Sequence, residues 1–331
     1  MISQIYEQKP ASFRTGASWP VRAVIEKYTG AYGENPITDR KFRFQIAKDI
    51  DFFILTGGFE NDQSLLMGMK VEQILEQGSG AQNEDYLIMD HNIFGVFDGA
   101  TSLTDACFEE GKSGGCMASS IAGQVFLRNH HPLVRLGAEA NDSIRARMER
   151  SQIDLSRRCG LWSTSAAVVR LGDGEIEWFQ TGDSQVVFID RDGGYKVAAR
   201  REDHDYPTLS MISERGRSHP EVQRLVEKIR QGMNRDYGVL NGEREAERFF
   251  RTGTEPACNI KTVLLFTDGL DVPCPAPKKY KDFSCLVSMA AELGLEGLRD
   301  HVRGQEAADP DIERYPRFKK HDDIAAIAIH F

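Results

Sequence analysis

The stretch SAAVVRLGDGEIEWFQT, residues 165–181, reads as two strands around a turn. Ser165–Leu171 is largely apolar and Glu175–Thr181 alternates. Gly172-Asp173-Gly174 between them offers residue types that tolerate the positive φ of a tight antiparallel hairpin. Working outward, Gln185–Asp190 runs through the turn Arg191-Asp192-Gly193-Gly194 into Tyr195–Ala199. Further strand patterns cover Met69–Leu75, Asp85–Met89, Ile93–Phe97, Val263–Phe266 and Ile324–Phe331. Helical patterns cover Gly115–Leu127, Leu133–Arg158, Pro220–Gly232, Phe283–Leu293 and Leu295–Val302, with Ser218 as the cap of the third. Two helices fall together between groups of strands, rather than one between each strand pair. That order predicts an α+β domain of layered antiparallel sheets, not a doubly wound parallel sheet. The charged segment 200–260 is expected to lie irregularly over the core.

The chain has 331 residues, with 41 Lys and Arg against 50 Asp and Glu, a formal charge of −9. Hydrophobic residues at 40% supply a sizeable core, which excludes disordered and fibrous classes. The acidic balance argues against nucleic acid or an anionic membrane as a general partner, because no basic surplus neutralises phosphates. None of the six cysteines forms a C-x-x-C pair, so they read as reduced thiols, Cys107 and Cys116 as small buried apolar groups. The first residues, MISQIYEQKPASFRTG, lack the apolar core of a leader, and no run reaches a membrane span. A soluble cytoplasmic protein is expected. Residues 1–66, with a strand-like run at Asp51–Thr56, read as an N-terminal extension packed on a main domain of 67–331.

The informative feature is where acids meet strands. Asp98-Gly99 stops the run 94–97, and Asp268-Gly269 stops the run that begins at Val263. Asn83-Glu84-Asp85 and Asp322-Asp323 stand immediately before strands, and Gly182-Asp183-Ser184 interrupts a strand pair. An Asp-Gly after a strand is commonly just a turn. Five acidic groups at strand ends are harder to explain that way, because neighbouring carboxylates repel unless a cation lies between them. All-oxygen donors suit Mg²⁺ or Mn²⁺. Two such ions sharing a carboxylate activate water against a phosphoryl group.

Asn83-Glu84-Asp85, Gly95-Val96-Phe97-Asp98-Gly99, Ser163-Thr164-Ser165-Ala166, Thr181-Gly182-Asp183-Ser184, Phe266-Thr267-Asp268-Gly269-Leu270 and His321-Asp322-Asp323-Ile324 occur in this order. In this series the chain, from about residue 69 onward, resembles the metal-dependent serine/threonine phosphatases of type 2C. The resemblance implies a four-layer α-β-β-α sandwich with a dinuclear Mg²⁺ or Mn²⁺ site at one end and a phosphorylated protein as substrate. It implies that Asp98 bridges two ions, that Gly99 offers its carbonyl and that Glu84 binds one ion directly or through water. It implies further that Asp268 and Asp322 hold the other ion, that Asp85 assists through water and that Asp183 supports a looser third ion. Asp98, Asp268 and Asp322 are the catalytic candidates. Asp323 stands where the family usually has Asn, and Asp322 is favoured as the ligand because it keeps Ile324 in register.

Two positions depart from the pattern. Gly80 stands where many members carry a phosphate-gripping Arg, and Ala100 where many carry a His proposed as general acid. Arg200 and Arg201, or Arg157 and Arg158, are the candidate replacements for the first. The segment 200–205 also comes within possible reach of the cleft on this resemblance. The alternatives to a protein phosphatase are a slow, divergent enzyme, a metal-binding pseudophosphatase acting as a partner-recognition module, and a phosphatase of a small phosphorylated metabolite. His130 and His131 are expected at the surface with side chains pointing apart.

Overall fold

The computed structural model describes residues 69–101, 107–200 and 203–331. The extension 1–66, its strand-like run and the boundary at 66/67 lie outside the described residues, as does Arg201.

Ten strands form two antiparallel sheets. The first sheet has the order β1 (Lys70–Glu76), β10 (Ile324–His330), β9 (Ile260–Phe266), β6 (Gln185–Asp190), β7 (Tyr195–Val197). The second has the order β2 (Tyr86–Asp90), β3 (Ile93–Phe97), β4 (Ala166–Leu171), β5 (Glu175–Thr181), β8 (Arg251–Pro256). The predicted hairpin is β4–β5, in register from Ala166 opposite Thr181 to Leu171 opposite Ile176.

The sheets face each other across Phe94, Val96, Val169, Phe188, Val263 and Leu265. Helices α1 (Gly114–Phe126) and α2 (Leu133–Arg150) cover the outer face of the second sheet, packing Phe126, Leu136 and Ile144 around Phe97 and Phe179. Helix α5 (Ser284–Ala307) covers the first sheet through Leu286, Leu295, Leu298 and Val302. The result is the four-layer α-β-β-α sandwich. It explains why β3 is apolar throughout, every residue being buried: a central strand covered on both faces has no solvent side to mark with polar residues.

Several details differ from the sequence reading. Helix α2 stops at Arg150, because Gln152 adopts φ 58° and turns the chain. Helix α3 (Tyr206–Arg215) was not anticipated; only Thr208 and Ile212 are buried on it, too few to show a period. In α4 (Pro220–Arg230) the cap is the His219 ring, accepting from the Glu221 N–H, rather than Ser218. Strand β8 was missed because Arg-Thr-Gly-Thr-Glu-Pro is an exposed, polar edge closed by proline. The predicted break between the last two helical runs is present inside α5, where Gly294 takes φ 72°. Cys107 is exposed and Cys116 only half-buried, so neither is the buried apolar group expected; no disulfide joins any of the six cysteines. His130 and His131 do not point apart: their ring centroids are 4.3 Å apart and both rings face Glu139. Among the described residues no helix is long and apolar enough to cross a membrane.

The loop between α5 and β10 is held by one carboxylate. Asp309 accepts from the backbone N–H of Glu313, Arg314 and Tyr315 at 3.0, 3.1 and 2.9 Å and from the Arg317 guanidinium at 2.8 Å. Burial works against ionisation, but these donors outweigh it and lower the carboxyl to about 2. A lowered carboxyl contributes stability that is present above its unfolded value and lost as pH falls between about 4 and 2. Asp309→Asn should therefore lower the melting temperature at neutral pH by several degrees, at about 2–4 °C per kcal/mol. It should also flatten the acid limb of a stability-versus-pH curve. An unchanged limb would show that the loop does not depend on this charge.

Candidate metal centre

The site lies where both sheets end on the same side. Strand β3 delivers Asp98, whose carbonyl accepts from the Ser165 N–H at 2.9 Å. Gly99 follows because a Cβ there would lie 2.4 Å from the Glu84 carbonyl oxygen and 2.5 Å from that of Gly115. Strand β9 delivers Thr267 and Asp268. The Thr267 hydroxyl donates to Asp85 Oδ2 at 2.7 Å and accepts from the Ala325 N–H at 2.9 Å, joining the two sheets. A Cβ on Gly269 would lie 1.9 Å from the Asp323 carbonyl oxygen, so this turn also excludes a side chain.

The two adjacent acid pairs resolve by hydrogen bonding. Both oxygens of Asp323 accept backbone N–H groups, Gly78 at 2.7 Å and Glu84 at 2.8 Å, so this carboxylate holds the 78–84 loop. Asp322 turns to the cleft, where its Oδ1 accepts from Lys319 Nζ at 2.7 Å, while Arg303 of α5 holds its carbonyl at 2.7 Å. In the other pair, Glu84 accepts hydroxyls on both oxygens, from Thr101 at 2.7 Å and from Ser113, the cap of α1. Asp85 faces the acids. The carboxylates acting on Asp98 are Asp268, Asp85, Asp183 and Asp322, and Glu84 is not among them. Glu84 thus meets the start of α1, and Asp85 faces Thr267 and the other acids.

Burial pushes the carboxyls of Asp98, Asp85 and Asp268 well above the usual range, and their neighbours push further: Asp268 on Asp98, and Asp322 on both Asp85 and Asp268. Two half-buried lysines offset part of this charge. Burial disfavours both ammonium groups, but Asp271 and Asp203 hold the Lys281 charge in place and Asp322 holds that of Lys319. Neither lysine was singled out in the sequence, where both look like ordinary surface cations. They line an open cleft of about 620 Å³ with Asp268 and Asp322. Asp183, after Gly182 at φ 74°, sits beside His204, with Nε2 to Oδ2 at 3.4 Å.

The arginine candidates fall elsewhere. Arg200 is exposed and lines a small recess beside Asp183 and Asp203. Arg158 bonds to Glu243 at 2.6 Å and to the Met233 carbonyl at 2.6 Å, which commits it to the loop above α4. Gly80 is bound through its carbonyl by the Gln77 side chain at 2.8 Å.

The protein phosphatase 2C family model matches residues 76–302, more than half of the chain. The chain belongs to the protein phosphatase 2C family. No curated protein is similar to it in sequence. Similar solved structures include the catalytic domain of the serine/threonine phosphatase PstP in complex with two manganese ions, at TM-score 0.51 and 15% identity over 79% of this chain and 97% of that one. The Mycobacterium tuberculosis PstP/Ppp structure gives TM-score 0.50 and 15% identity over 80% and 98%. Stp1 from Staphylococcus aureus gives 0.50 and 14% over 80% and 95%. At these identities the likeness shows the protein phosphatase 2C fold. The family match ends before Asp322 and Asp323, so the distinction between those two rests on the hydrogen bonds above.

Proposed function

We propose that this protein hydrolyses phosphomonoesters with two Mg²⁺ or Mn²⁺ ions, on phosphoserine or phosphothreonine in proteins. The observation that carries the reading is that Asp85, which is buried, and Asp98, Asp268 and Asp322, which are half-buried, come from both sheets to repel one another. Carboxylates that repel one another across a cleft, with oxygen donors alone, suit hard dications between them. Asp98, Asp268, Asp322 and the Gly99 carbonyl would hold the ions, with Asp85 fixed by Thr267 to take a coordinated water. When bound, the ions supply Lewis acidity and an activated water, and they neutralise charge on the phosphoryl group. The chain itself sets the direction of approach, because rigid strand ends carry the acids. Lys319 and Lys281 add positive charge along the cleft that receives an anionic substrate.

Ala100 leaves no imidazole after Asp98-Gly99, so the chain offers no histidine there to protonate the leaving oxygen. A general acid is worth about 10²–10⁴ in rate. Aryl phosphates, whose leaving groups need no proton, should accordingly be cleaved faster than phosphoserine peptides. With Mn²⁺ the protein should release nitrophenol from p-nitrophenyl phosphate, and EDTA should stop it. Phosphothreonine peptides should outcompete free phosphorylated metabolites at equal concentration. Mn²⁺ binding without turnover on any of these would instead make the chain a recognition module.

A further inference from the structure

The turn between α1 and α2 places two imidazoles and a carboxylate together, at the end of the sandwich away from the acids. His130 Nε2 lies 3.3 Å from one oxygen of Glu139, and His131 Nε2 lies 3.6 Å from the other. The ring centroids stand 4.3 Å apart, and ligand atoms of the three residues all lie within 4.8 Å of one another. The backbone around them is held in place. Asn129 takes φ 48°, its amide donates to Asn92 Oδ1 at 2.9 Å, and its Oδ1 accepts from Arg170 at 3.0 Å. The same guanidinium nitrogen donates to the His131 carbonyl at 2.9 Å. Leu133, the first residue of α2, donates its N–H to Glu177 at 2.9 Å, which anchors the helix that carries Glu139. Asn92 stands just before β3 and Asp98 just after it, so the length of that strand, about 17 Å of extended chain, separates this turn from the acids.

We infer that His130, His131 and Glu139 form a binding site for one transition dication of the zinc type, with both imidazoles and the carboxylate as direct ligands. The spacing is the first reason. A charge-assisted hydrogen bond from imidazolium to carboxylate closes to about 2.7–2.9 Å, shorter than either contact here. Two donors on one tetrahedral ion, with bonds of about 2.0–2.1 Å, stand about 3.4 Å apart, close to both distances found. The donor set is the second reason. Two imidazole nitrogens and one carboxylate oxygen suit Zn²⁺ and its neighbours, whereas Mg²⁺ takes oxygen alone. Three protein ligands leave the fourth position to water. The weakness of the competitor is the third. Arg135 approaches Glu139 at 3.3 Å from one turn earlier, but its side chain is 63% exposed, and such a surface pair holds a carboxylate loosely. A dication bonded directly to the same oxygen displaces it. Preorganisation is the fourth, since the hydrogen bonds of Arg170 and Asn129 set the turn whether or not an ion is bound. The ion fastens the turn to the second turn of α2 and so tightens the helical layer over the second sheet. The inference is independent of the dinuclear reading, because none of the three residues belongs to the cleft.

The test is zinc uptake by the full-length protein, measured by calorimetry in an excess of Mg²⁺, which fills oxygen-only sites and leaves imidazoles alone. The expected result is that His130→Ala and His131→Ala each take up one zinc ion fewer than the wild type. Both side chains are partly exposed, so their zinc-free melting temperatures should match the wild type, and the lost ion then does not stand for a lost fold. Glu139→Gln should weaken the same ion by about tenfold or more. Arg135→Ala should bind as many zinc ions as the wild type, and this one more tightly, because the competing guanidinium is gone. Asp98→Asn should leave the ion in place. Zinc uptake unchanged in both histidine variants would overturn the inference, as would a wild type that takes up no zinc beside Mg²⁺. A zinc ion lost in Asp98→Asn but kept in the histidine variants would overturn it while leaving the dinuclear reading intact.

Discussion

Asp98→Asn is expected to lower turnover on an aryl phosphate with saturating Mn²⁺ by at least about two decades. Asp98 is the acid that others surround: Asp268, Asp85, Asp183 and Asp322 all act on it. A carboxylate shared between two dications fixes their separation, and ions about 3.5–4 Å apart activate water as a pair. The amide keeps the volume and the strand end but gives up the charge and one oxygen. Ser165 still bonds the backbone, so the loop stays where it is. Asp323→Asn is the useful contrast. Its carboxylate takes two backbone N–H groups and holds a loop, so its loss should appear first in thermal stability and less in turnover. Near-wild-type turnover in Asp98→Asn would reject the bridging role.

The second large effect concerns stability. Mn²⁺ is expected to raise the melting temperature by about 10 °C or more. An ion at 100 times its dissociation constant stabilises by about 2.7 kcal/mol, so two give about 5. In a chain of this size each kcal/mol moves the midpoint by about 2–4 °C. The sign with pH follows from the raised carboxyls of Asp98, Asp85 and Asp268. A carboxyl raised in the fold binds a proton that the unfolded chain releases. Metal-free stability is then greatest in mild acid and falls as pH rises from the usual carboxylate value toward the raised one. The EDTA-treated protein should therefore melt progressively lower as pH rises above the ordinary carboxylate range, and the Mn²⁺ form should not. Metal-free Asp98→Asn should melt higher than wild type, since it removes one of several repelling charges. A midpoint indifferent to Mn²⁺, or a fall in metal-free Asp98→Asn, would show that these acids are not under mutual strain.

Much of the layering could be read beforehand, because central strands carry their signal in every residue. Ile93–Phe97, Glu175–Thr181 and Gln185–Asp190 keep the bounds that apolar content and flanking turns suggest. Elements at the margin do not: β8 is a polar edge, and α3 buries two residues. The same limit applies inside the site. Side chains of neighbouring residues on an extended chain point to opposite sides, so a pair of acids contains one that looks in and one that looks out. Register decides which. For Asp322 and Asp323 the hydrogen bonds divide the pair, Asp322 meeting Lys319 at the cleft and Asp323 holding the 78–84 loop. For Glu84 and Asp85 nothing local shows that the Thr101 and Ser113 hydroxyls would meet the Glu84 carboxylate. Lys319 is held by Asp322 three residues on and Lys281 by Asp271 and the more distant Asp203, pairings that the sequence around each lysine does not single out.

Asp98 extends from one sheet, and Asp268 and Asp322 extend from the other. The gap between these acids is therefore set by the thickness of what lies between the sheets, chiefly Phe94, Phe188, Val263 and Leu265. That hydrocarbon filling works as a caliper. Residues whose side chains carry no polar atom govern how far apart the jaws stand, so the proposed chemistry would depend in part on the oiliest layer of the molecule.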